Sequence, residues 1–434
     1  MLFNTGVFVR ILSAILFAGS LAACSAARSN PQLQPLSPAQ LRTPQGADAI
    51  PSDLSAVLGS DAFPTGADAF PLGAGATPVG SDAHASCAKT GDPEAARCHA
   101  QYRKSLVPNG NPATPASAVL GYHPSDLQSA YGLTGPAVQA GGDQTVAIIV
   151  AFHNPDLESD LGVYRATFGL SPCTSASGCL RVLSKTSASH PGWAAEEVLD
   201  AEMVSAICPN CKIMVVESQD AKLKTLASSV TLAASSGATE ISNSYSVPES
   251  RDLAQYAAKY RVDGIPITAG AGDTGYGVNY PAGFATVTAV GGTSLINTPR
   301  GWAEAVWPGT GSGCSEFISK PSWQTDRGCP NRTVNDLALV ADPATGVSAY
   351  VSAVGGWTVF GGTSVGAQIV AAMYALAGNG SNINDPSILY AQSSSFLAIV
   401  PRANGRCRPS YLCRGATGYS GPGGLGMPAG LTAF

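Results

Sequence analysis

The chain has 434 residues, of which 45% are hydrophobic and 12% are charged, and its formal net charge is -5. A chain of this length and composition can bury a core large enough for one large domain or two smaller ones, which excludes a disordered protein. The small negative charge argues against nucleic-acid partners, since these require a basic surface.

The N-terminal residues have the pattern of an export signal. Arg10 precedes an apolar run over 11–23, and Leu-Ala-Ala-Cys closes it at 21–24. This pattern resembles the lipobox of bacterial lipoproteins, in which the signal, here 1–23, is removed and the cysteine, here Cys24, carries the lipid. We expect an exported protein, lipid-anchored at the outer membrane or cell surface, with later release left open. The alternatives are an ordinary secretory signal and a retained membrane helix, for which the run is shorter than the roughly 20 residues needed.

The next predicted segment, 24–115, consists of the anchor cysteine, a tether and a short leader. From Ser25 to about Ser86 the chain is rich in Ala, Pro, Gly, Ser and Asp and has no sustained helical or strand periodicity. Such a composition is typical of a flexible tether, so we expect no packed domain there. The remaining residues, 116–434, are predicted to form the globular domain.

Short apolar, β-branched runs alternate with helical patterns in this last segment. The predicted strands cover 145–152, 212–217, 240–245, 265–269, 286–290 and 347–354, and the predicted helices cover 194–207, 223–235, 250–261 and 364–377. This alternation indicates an α/β fold, a mainly parallel sheet with helices on both faces. Sites in such folds lie at the carboxyl ends of the strands, where we expect Asp273 and the turn before Ser364.

The cysteines indicate an oxidising compartment. Eleven cysteines are too many for free thiols in a reducing cytoplasm. Apart from Cys24, neighbours in sequence suggest the pairs Cys87–Cys98, Cys173–Cys179, Cys208–Cys211, Cys314–Cys329 and Cys407–Cys413. Ten cysteines permit many other connectivities, so pairing by neighbours is one choice among them.

A candidate nucleophile stands at the start of an apolar predicted helix. Ser364 lies in the glycine-rich segment 361–366 and precedes a buried stretch over 367–377. Backbone N–H groups at a helix N-terminus can bind developing negative charge, as a serine hydrolase requires. A serine also needs a base, but none of the five histidines has a catalytic context, and His123 and His153 are predicted to be structural or surface residues.

Carboxyl groups are the remaining candidates for the base. Glu196 and Asp200 are four residues apart in the predicted helix 194–207, so they lie on one helical face. Repulsion and desolvation raise the pKa of at least one member of such a pair, which lets the pair hold a proton and pass it on. The alternative is a solvated helix face that also includes Glu197 and Glu202.

A third acidic residue, Asp273, follows an apolar strand inside the glycine-rich turn 270–275. On its own it is equally well explained as a turn-forming residue. Its place at the carboxyl end of a predicted strand makes it a candidate for the same site as Ser364.

Four motifs follow one another within about 122–434. They are Glu-x-x-x-Asp at 196–200, Ala-Gly-Asp-x-Gly at 271–275, Ala-Val-Gly-Gly-Thr-Ser at 289–294 and Gly-Thr-Ser at 362–364. In this order and spacing they resemble the sedolisin family, the serine-carboxyl peptidases. The resemblance implies a subtilisin-like fold in which a glutamate replaces the histidine, and hydrolysis of peptide bonds in acid.

The resemblance also implies roles for individual residues. Ser364 would be the nucleophile, Glu196 the general base and acid, and Asp200 the residue that orients Glu196 and shares its proton. Asp273, when protonated, would donate to the oxyanion, and we therefore expect a pH optimum below about 6. The substrates would be proteins or peptides cut by a monomeric serine-type endopeptidase, with exopeptidase action left open.

The chain departs from the family at the usual calcium site. The two aspartate ligands of the family align with Ala398 and Ser420, neither of which carries a carboxylate. The backbone carbonyls of Ile399, Ala416 and Gly418 remain, but a hard cation held by neutral oxygens alone binds weakly. We expect no tight calcium site and no other cofactor, with the Cys407–Cys413 loop holding this segment instead.

The family's folded pro-domain of well over a hundred residues does not fit before the predicted domain. Either the enzyme folds without one, or the short leader blocks the site in a simpler way. A second function follows from these departures, namely a weak or inactive surface-anchored protein that keeps the fold for binding. A histidine-dependent hydrolase is a third hypothesis, but the chain has no suitably placed histidine.

Overall fold

The computed structural model describes residues 82–103, 106 and 109–434. The predicted signal, the anchor Cys24 and most of the tether lie outside these residues. Within the part that is described, no helix combines the length and the apolar character that crossing a membrane would take.

The described chain alternates strands with helices. The strands are β1 Ala83–Ala85, β2 Arg97–Cys98, β3 Gln101–Arg103, β4 Thr145–Ala151, β5 Leu180–Ser184, β6 Lys212–Ser218, β7 Glu240–Asn243, β8 Tyr245–Pro248, β9 Ile267–Gly270, β10 Asn279–Tyr280, β11 Val287–Thr298, β12 Gly301–Val306, β13 Gly313–Ser319, β14 Asn331–Val334, β15 Leu337–Val340, β16 Val347–Val351, β17 Gly356–Gly361, β18 Phe396–Leu397 and β19 Met427–Pro428. The α-helices are α1 Pro124–Ala130, α2 Thr134–Gln139, α3 Leu157–Thr167, α4 Pro191–Ile207, α5 Leu223–Ser235, α6 Thr363–Ala377 and α7 Ser387–Ala391. Single 3-10 turns cover Ala116–Ala118, Pro343–Thr345, Ser352–Val354, Gly380–Asn382, Ser393–Ser395 and Ser410–Leu412, and a longer 3-10 helix covers Leu253–Tyr260.

An eight-stranded sheet forms the centre of the domain. Its order is β12-β11-β9-β7-β4-β6-β5, and β15 pairs with β11 as well. All of these pairs are parallel except β11 with β12. The central strand β4 reads Thr-Val-Ala-Ile-Ile-Val-Ala and is buried after its first residue, as expected of a parallel strand covered on both faces.

Helices pack against this sheet in two groups. The helices α4 and α6 pack against each other, and α6 lies along β7, β9 and β11. The helix α5 packs against β4 and β6, and it also contacts the 3-10 helix Leu253–Tyr260. The prediction of an α/β fold with a mainly parallel, helix-covered sheet is confirmed.

Some boundaries differ from the predicted ones. The predicted strand 240–245 is broken at Ser244, where β7 ends and β8 begins, and the predicted helix 250–261 is a 3-10 helix. The strand β11 continues well past the predicted end at 290 because its second half pairs with β12. The break at Ser244 matters for function, since it turns a backbone carbonyl toward α6.

The short strands β1, β2 and β3 belong to the predicted leader, yet β2 and β3 pair with strands of the predicted domain. The strand β2 is antiparallel to β8, and β3 is antiparallel to β17. The predicted domain boundary at 116 stays a prediction, but residues 82–103 share sheets with residues beyond it.

The structure contains the five predicted disulfides, Cys87–Cys98, Cys173–Cys179, Cys208–Cys211, Cys314–Cys329 and Cys407–Cys413. Each closes a short loop, so neighbours in sequence are also neighbours in space. This pairing is confirmed.

Candidate active site

The fold brings the four predicted site residues together at the carboxyl edge of the sheet. Glu196 and Asp200 lie one turn apart on α4, Asp273 follows β9, and Ser364 is in the first turn of α6. Glu196, Asp200 and Ser364 have no exposed surface, and Asp273 keeps a small exposed fraction. The helix α4 is held at its start by the ring of His190, which accepts from the backbone N–H groups of the first turn.

The alternative of a solvated helix face is wrong, because Glu197 and Glu202 are buried as well. Glu202 accepts from the backbone N–H of Tyr350, and Glu197 faces Glu217. Burial, followed by the charge of Glu217, raises the pKa of Glu197 well above its ordinary value. The entire helix α4 is therefore internal, and its carboxyl groups are kept away from water.

Glu196 is the carboxyl group nearest to the serine. Its Oε2 accepts from the backbone N–H of Ala100 at 2.5 Å. The pKa of Glu196 is raised to about 8, chiefly by burial. Hydrogen bonds from the Ser364 hydroxyl and the Ala100 N–H oppose this rise, and the charge of Asp273 adds to it. Glu196 is thus placed to exchange a proton with Ser364.

Asp200 lies behind Glu196. Burial raises its pKa well above the ordinary value and the neighbouring Glu196 adds to the rise, while Ser244 and Gln368 oppose it. The Gln368 amide also donates to Ser244 Oγ at 2.9 Å, which fixes both side chains beside the pair. Sequence reasoning missed these two polar residues, although a glutamine inside the apolar helix α6, four residues after Ser364, is a visible signal.

Asp273 is enclosed by hydrogen-bond donors. Its Oδ1 accepts from the backbone N–H and the hydroxyl of Thr363, both at 2.9 Å, and its Oδ2 accepts from the Gln101 amide at 2.8 Å. These bonds favour the carboxylate, but burial outweighs them and raises the pKa of Asp273 to about 6. Asp273 can therefore hold a proton in mildly acidic solution.

Ser364 Oγ donates toward the Ser244 carbonyl at 3.5 Å. The residue before the helix, Gly362, has φ +104°, which favours glycine. A Cβ at Gly362 would stand 2.0 Å from the carbonyl oxygen of His99 and 2.8 Å from Asp273 Oδ2. Only a glycine lets another backbone approach Asp273 so closely.

That other backbone is the leader, which crosses the site as an extended strand. On one side Arg97 and Cys98 pair with Ser246 and Tyr245 of β8. On the other side Gln101 pairs with Gly361 of β17. His99 and Ala100 lie between the two pairings. The peptide bond that joins them has its nitrogen at Glu196 and its carbonyl oxygen against Gly362, which Asp273 Oδ2 also approaches.

The His99 ring fills a pocket and cannot serve as the base. Its Nε2 is 2.6 Å from Ser246 Oγ and its Nδ1 is 3.2 Å from Thr363 Oγ1. Burial, helped by Arg97, lowers the pKa of His99 to about 3, so the ring is neutral. His123 contacts the Val119 carbonyl and His153 contacts Glu217, which confirms the prediction that these two are structural.

The residues at the expected calcium site do not fit a tightly bound calcium ion. The Ala398 side chain is exposed and Ser420 is buried, so neither of the two aligned positions offers a carboxylate oxygen. Within the described residues, no group of three or more His, Cys, Asp or Glu side chains could hold a metal ion. The weak-calcium expectation stays a prediction, and no step of the chemistry below involves a metal.

Comparison with known proteins shows what the chain is similar to. No family model matches the chain. The chain is 28% identical to kumamolisin of Bacillus sp. (strain MN-32) over 375 residues, which are 77% of this chain and 67% of kumamolisin. It is 32% identical to sedolisin of Pseudomonas sp. (strain 101) over 170 residues, which are 36% of this chain but only 27% of that protein.

The fold agrees with these sequence matches. A solved structure of Pseudomonas sedolisin, a serine-carboxyl proteinase complexed with two molecules of pseudo-iodotyrostatin, superposes with a TM-score of 0.61 at 21% identity. The superposition covers 72% of this chain and 96% of that one. The chain is therefore similar in sequence to kumamolisin and sedolisin, which are serine-carboxyl peptidases and hydrolases, and it shares the sedolisin fold.

Proposed function

We propose that the protein is an acid-active serine-type endopeptidase that uses Ser364, Glu196, Asp200 and Asp273. One observation carries the proposal: the His99–Ala100 peptide has its nitrogen on Glu196 and its carbonyl oxygen against Gly362, the glycine that Asp273 Oδ2 also approaches. A peptide bond about to be cut needs a proton donor at its nitrogen and a hydrogen-bond donor at its oxygen. In the structure the Ala100 N–H donates to Glu196 Oε2, so Glu196 is within reach of the nitrogen that it would protonate, and the leader lies in the cleft as a substrate would.

The chemistry follows from these positions. Ser364 Oγ attacks the carbonyl carbon and gives its proton to Glu196, and the oxygen gains negative charge. The Ser364 backbone N–H and protonated Asp273 donate to that oxygen. Glu196 then protonates the leaving nitrogen, the C–N bond breaks, and an ester of Ser364 remains. A water molecule attacks the ester, Glu196 takes its proton, and Ser364 recovers its hydroxyl hydrogen as the acid product leaves.

Asp200 and Thr363 do not touch the substrate in this scheme, and they act through Glu196 and Asp273. Asp200 shares a proton with Glu196, since two buried carboxyl groups in contact do not both ionise easily. Thr363 donates to Oδ1 of Asp273 and leaves Oδ2 to carry the proton that faces the substrate. Both residues are positioning residues in this scheme.

The scheme requires Glu196 to be ionised while Asp273 is protonated. In the leader-covered form burial raises the pKa of Glu196 to about 8, above the value of about 6 for Asp273, so few molecules hold both states together. Departure of the leader exposes Glu196 to water and removes the largest cause of its raised pKa. We therefore expect slow self-cleavage, faster cleavage of added substrate, and loss of activity as Asp273 ionises.

The test compares the full chain with Ser364→Ala at about pH 4, where ordinary carboxyl groups titrate. We expect the wild type to degrade a denatured protein and to produce a fragment that begins at Ala100, detected by mass spectrometry. The variant should do neither. Equal turnover in both proteins, or none in either, would support the binding-only alternative.

We also propose, on the sequence pattern around Cys24 alone, that the protein is exported and anchored by a lipid at the cell envelope. Its substrates would then be proteins or peptides outside the cytoplasm, and we propose that it acts as a monomer. Labelling with a fatty-acid analogue, compared between the wild type and Cys24→Ala, tests the anchor.

A further inference from the structure

We infer that the residue on the acyl side of the cut bond is selected by Ser246 and Thr363, which together take a flat side chain with one hydrogen-bond donor and one acceptor. Neutral histidine and glutamine are such side chains. The inference rests on the proposed function, because it treats the leader as a stand-in for a substrate. It adds a specificity that the catalytic residues alone do not predict.

The register of the leader shows which residue this pocket serves. The pairing with β8 puts Cys98 opposite Tyr245, and the pairing with β17 puts Gln101 opposite Gly361. If each pairing is continued by one residue, the first reaches His99 and the second reaches Ala100, so the bond between these two residues lies where the pairings meet. The registers of both pairings, on opposite sides of the cleft, therefore place His99 in the subsite before the cut bond.

The subsite holds the His99 ring by its two nitrogens. Nε2 is 2.6 Å from Ser246 Oγ, Nδ1 is 3.2 Å from Thr363 Oγ1, and the residue is only 4% exposed. A Cβ at Gly270 would lie 3.0 Å from Nδ1 and 2.8 Å from Thr363 Oγ1, so the glycine makes room for the ring. The pocket is small and closed, and the polar atoms of its walls face the ring.

The hydrogen-bond directions in this pocket are settled by Asp273. Thr363 Oγ1 donates to Asp273 Oδ1 at 2.9 Å, and it accepts from the backbone N–H of Gly272 at 3.1 Å. It can therefore offer only a lone pair to the ring, so Nδ1 is the donor. The ring is neutral, and its Nε2 must then accept the hydroxyl hydrogen of Ser246.

A primary amide meets the same demand. Glutamine carries an N–H donor and a carbonyl acceptor, separated about as far as the two nitrogens of an imidazole ring. An apolar side chain of similar volume would make neither bond: the Ser246 hydroxyl would lose its partner in the pocket, and Thr363 Oγ1 would keep only Asp273 and Gly272. Sites built to bond a polar group discriminate strongly against the analogue that lacks it.

The first experiment uses peptides that differ only at this position, with Gln, His or Leu, added to the acid-treated full chain. We expect kcat/KM to be about tenfold or more higher for Gln than for Leu, as one or two lost buried hydrogen bonds imply. Ser246→Ala should bring the Gln-to-Leu ratio close to one. Ser229→Ala, a buried serine on α5 that bonds only Ser218 Oγ, is the matched control and should keep the ratio. A preference for Leu, or a ratio unchanged in Ser246→Ala, would overturn the inference.

The second experiment needs no turnover, so it also decides the inference if no peptide is cut and the proposed function fails. In full-length Ser364→Ala, hydrogen exchange of the amides of 97–101 reports how firmly the leader is held. We expect His99→Gln to leave exchange near that of the parent and His99→Leu to speed it about tenfold. Equal exchange in both substitutions would show that Ser246 and Thr363 do not select the side chain.

Discussion

Two groups of buried carboxyl side chains in this protein are neutralised in opposite ways. Asp336 is fully buried and accepts from both terminal nitrogens of Arg332 at 2.6 and 2.7 Å, from the Tyr390 hydroxyl at 2.7 Å and from the backbone N–H of Ala289 at 2.8 Å. Glu196 and Asp200 are equally buried, but no ion pair within the described residues includes either of them.

The difference lies in the source of the positive charge. A guanidinium is fixed in place and always charged, so Asp336 serves as a structural tie between β11, β14 and β15. Glu196 and Asp200 can be neutralised only by binding a proton, and a proton can move to another group. In the proposed mechanism, this lack of a permanent cation is what would allow Glu196 to act as acid and base in turn.

The largest expected effect comes from removing the proton carrier. Glu196→Gln should lower kcat by about 10⁴-fold, the upper range for loss of a general acid and base, because an amide cannot take the serine proton. The thermal midpoint should not fall, since a buried carboxyl group is replaced by a neutral group of the same shape. Peptide kinetics and a thermal melt measure both, with Glu94→Gln on the exposed leader loop as control. A Glu196→Gln enzyme with near-normal kcat would remove Glu196 from the mechanism.

The next largest effect comes from breaking the buried ion pair between Arg332 and Asp336. Asp336→Leu should destabilise the fold by about 3–5 kcal/mol, because Arg332 would be left buried and charged without a counter-ion. Replacing both residues, with Arg332→Met added, should restore a large part of this loss. Denaturant unfolding of the single and double variants measures it. If the single variant unfolds like the wild type, Asp336 is not a structural tie.

Substitutions of Asp273 test whether its proton stabilises the oxyanion. Asp273→Ala should lower kcat about 10²–10³-fold, the usual effect of losing one oxyanion donor. Asp273→Asn should retain more activity, because an amide donates at every pH. The wild-type rate should fall as pH rises through about 6, the pKa to which burial raises Asp273, and this fall should vanish in the Asn variant. A pH–rate profile that keeps the same fall in Asp273→Asn would assign it to another group.

The smallest effect concerns a buried carboxyl group far from the chemistry. Burial raises the pKa of Glu240, at the start of β7, from 4.5 to about 8 while the Thr239 hydroxyl opposes the rise. The folded state therefore holds this proton more tightly than the unfolded state does. Its stabilising effect is complete below about pH 4.5 and is lost as pH rises toward about 8. Glu240→Gln should be more stable than the wild type at pH 8, by about 1–3 kcal/mol, and similar in acid. Melts at both pH values would contradict this if the two proteins lose stability in parallel.

The sequence predicts the elements that carry a strong local pattern. The helix α5 has the predicted bounds, and α4 and α6 begin three residues and one residue before the predicted ones. The buried strands β4 and β6 follow from their apolar runs. The disulfides could be paired because each closes a short loop. The relative positions of the four candidate catalytic residues could be expected from the resemblance, whereas their roles stay predictions.

Other features depend on contacts between distant residues and have no local signal. The strands β2 and β3 are two and three residues long, and only their partners β8 and β17 make them strands. The roles of Ser246 and Thr363 require knowing that His99 lies between them. No periodicity or turn chemistry within 82–103 predicts that this segment enters the cleft.

The position of the Cys87–Cys98 disulfide has a consequence for where the enzyme would work. Both cysteines precede the His99–Ala100 bond, and in the part of the chain that the structure describes no disulfide connects residues before that bond with residues after it. Cutting the bond would separate the end that we propose carries the lipid from the proposed catalytic domain, leaving two chains held by non-covalent contacts. A single hydrolysis would then determine where the enzyme acts. Before the cut the peptidase would be confined to the surface of its own cell, and after the cut it could diffuse away.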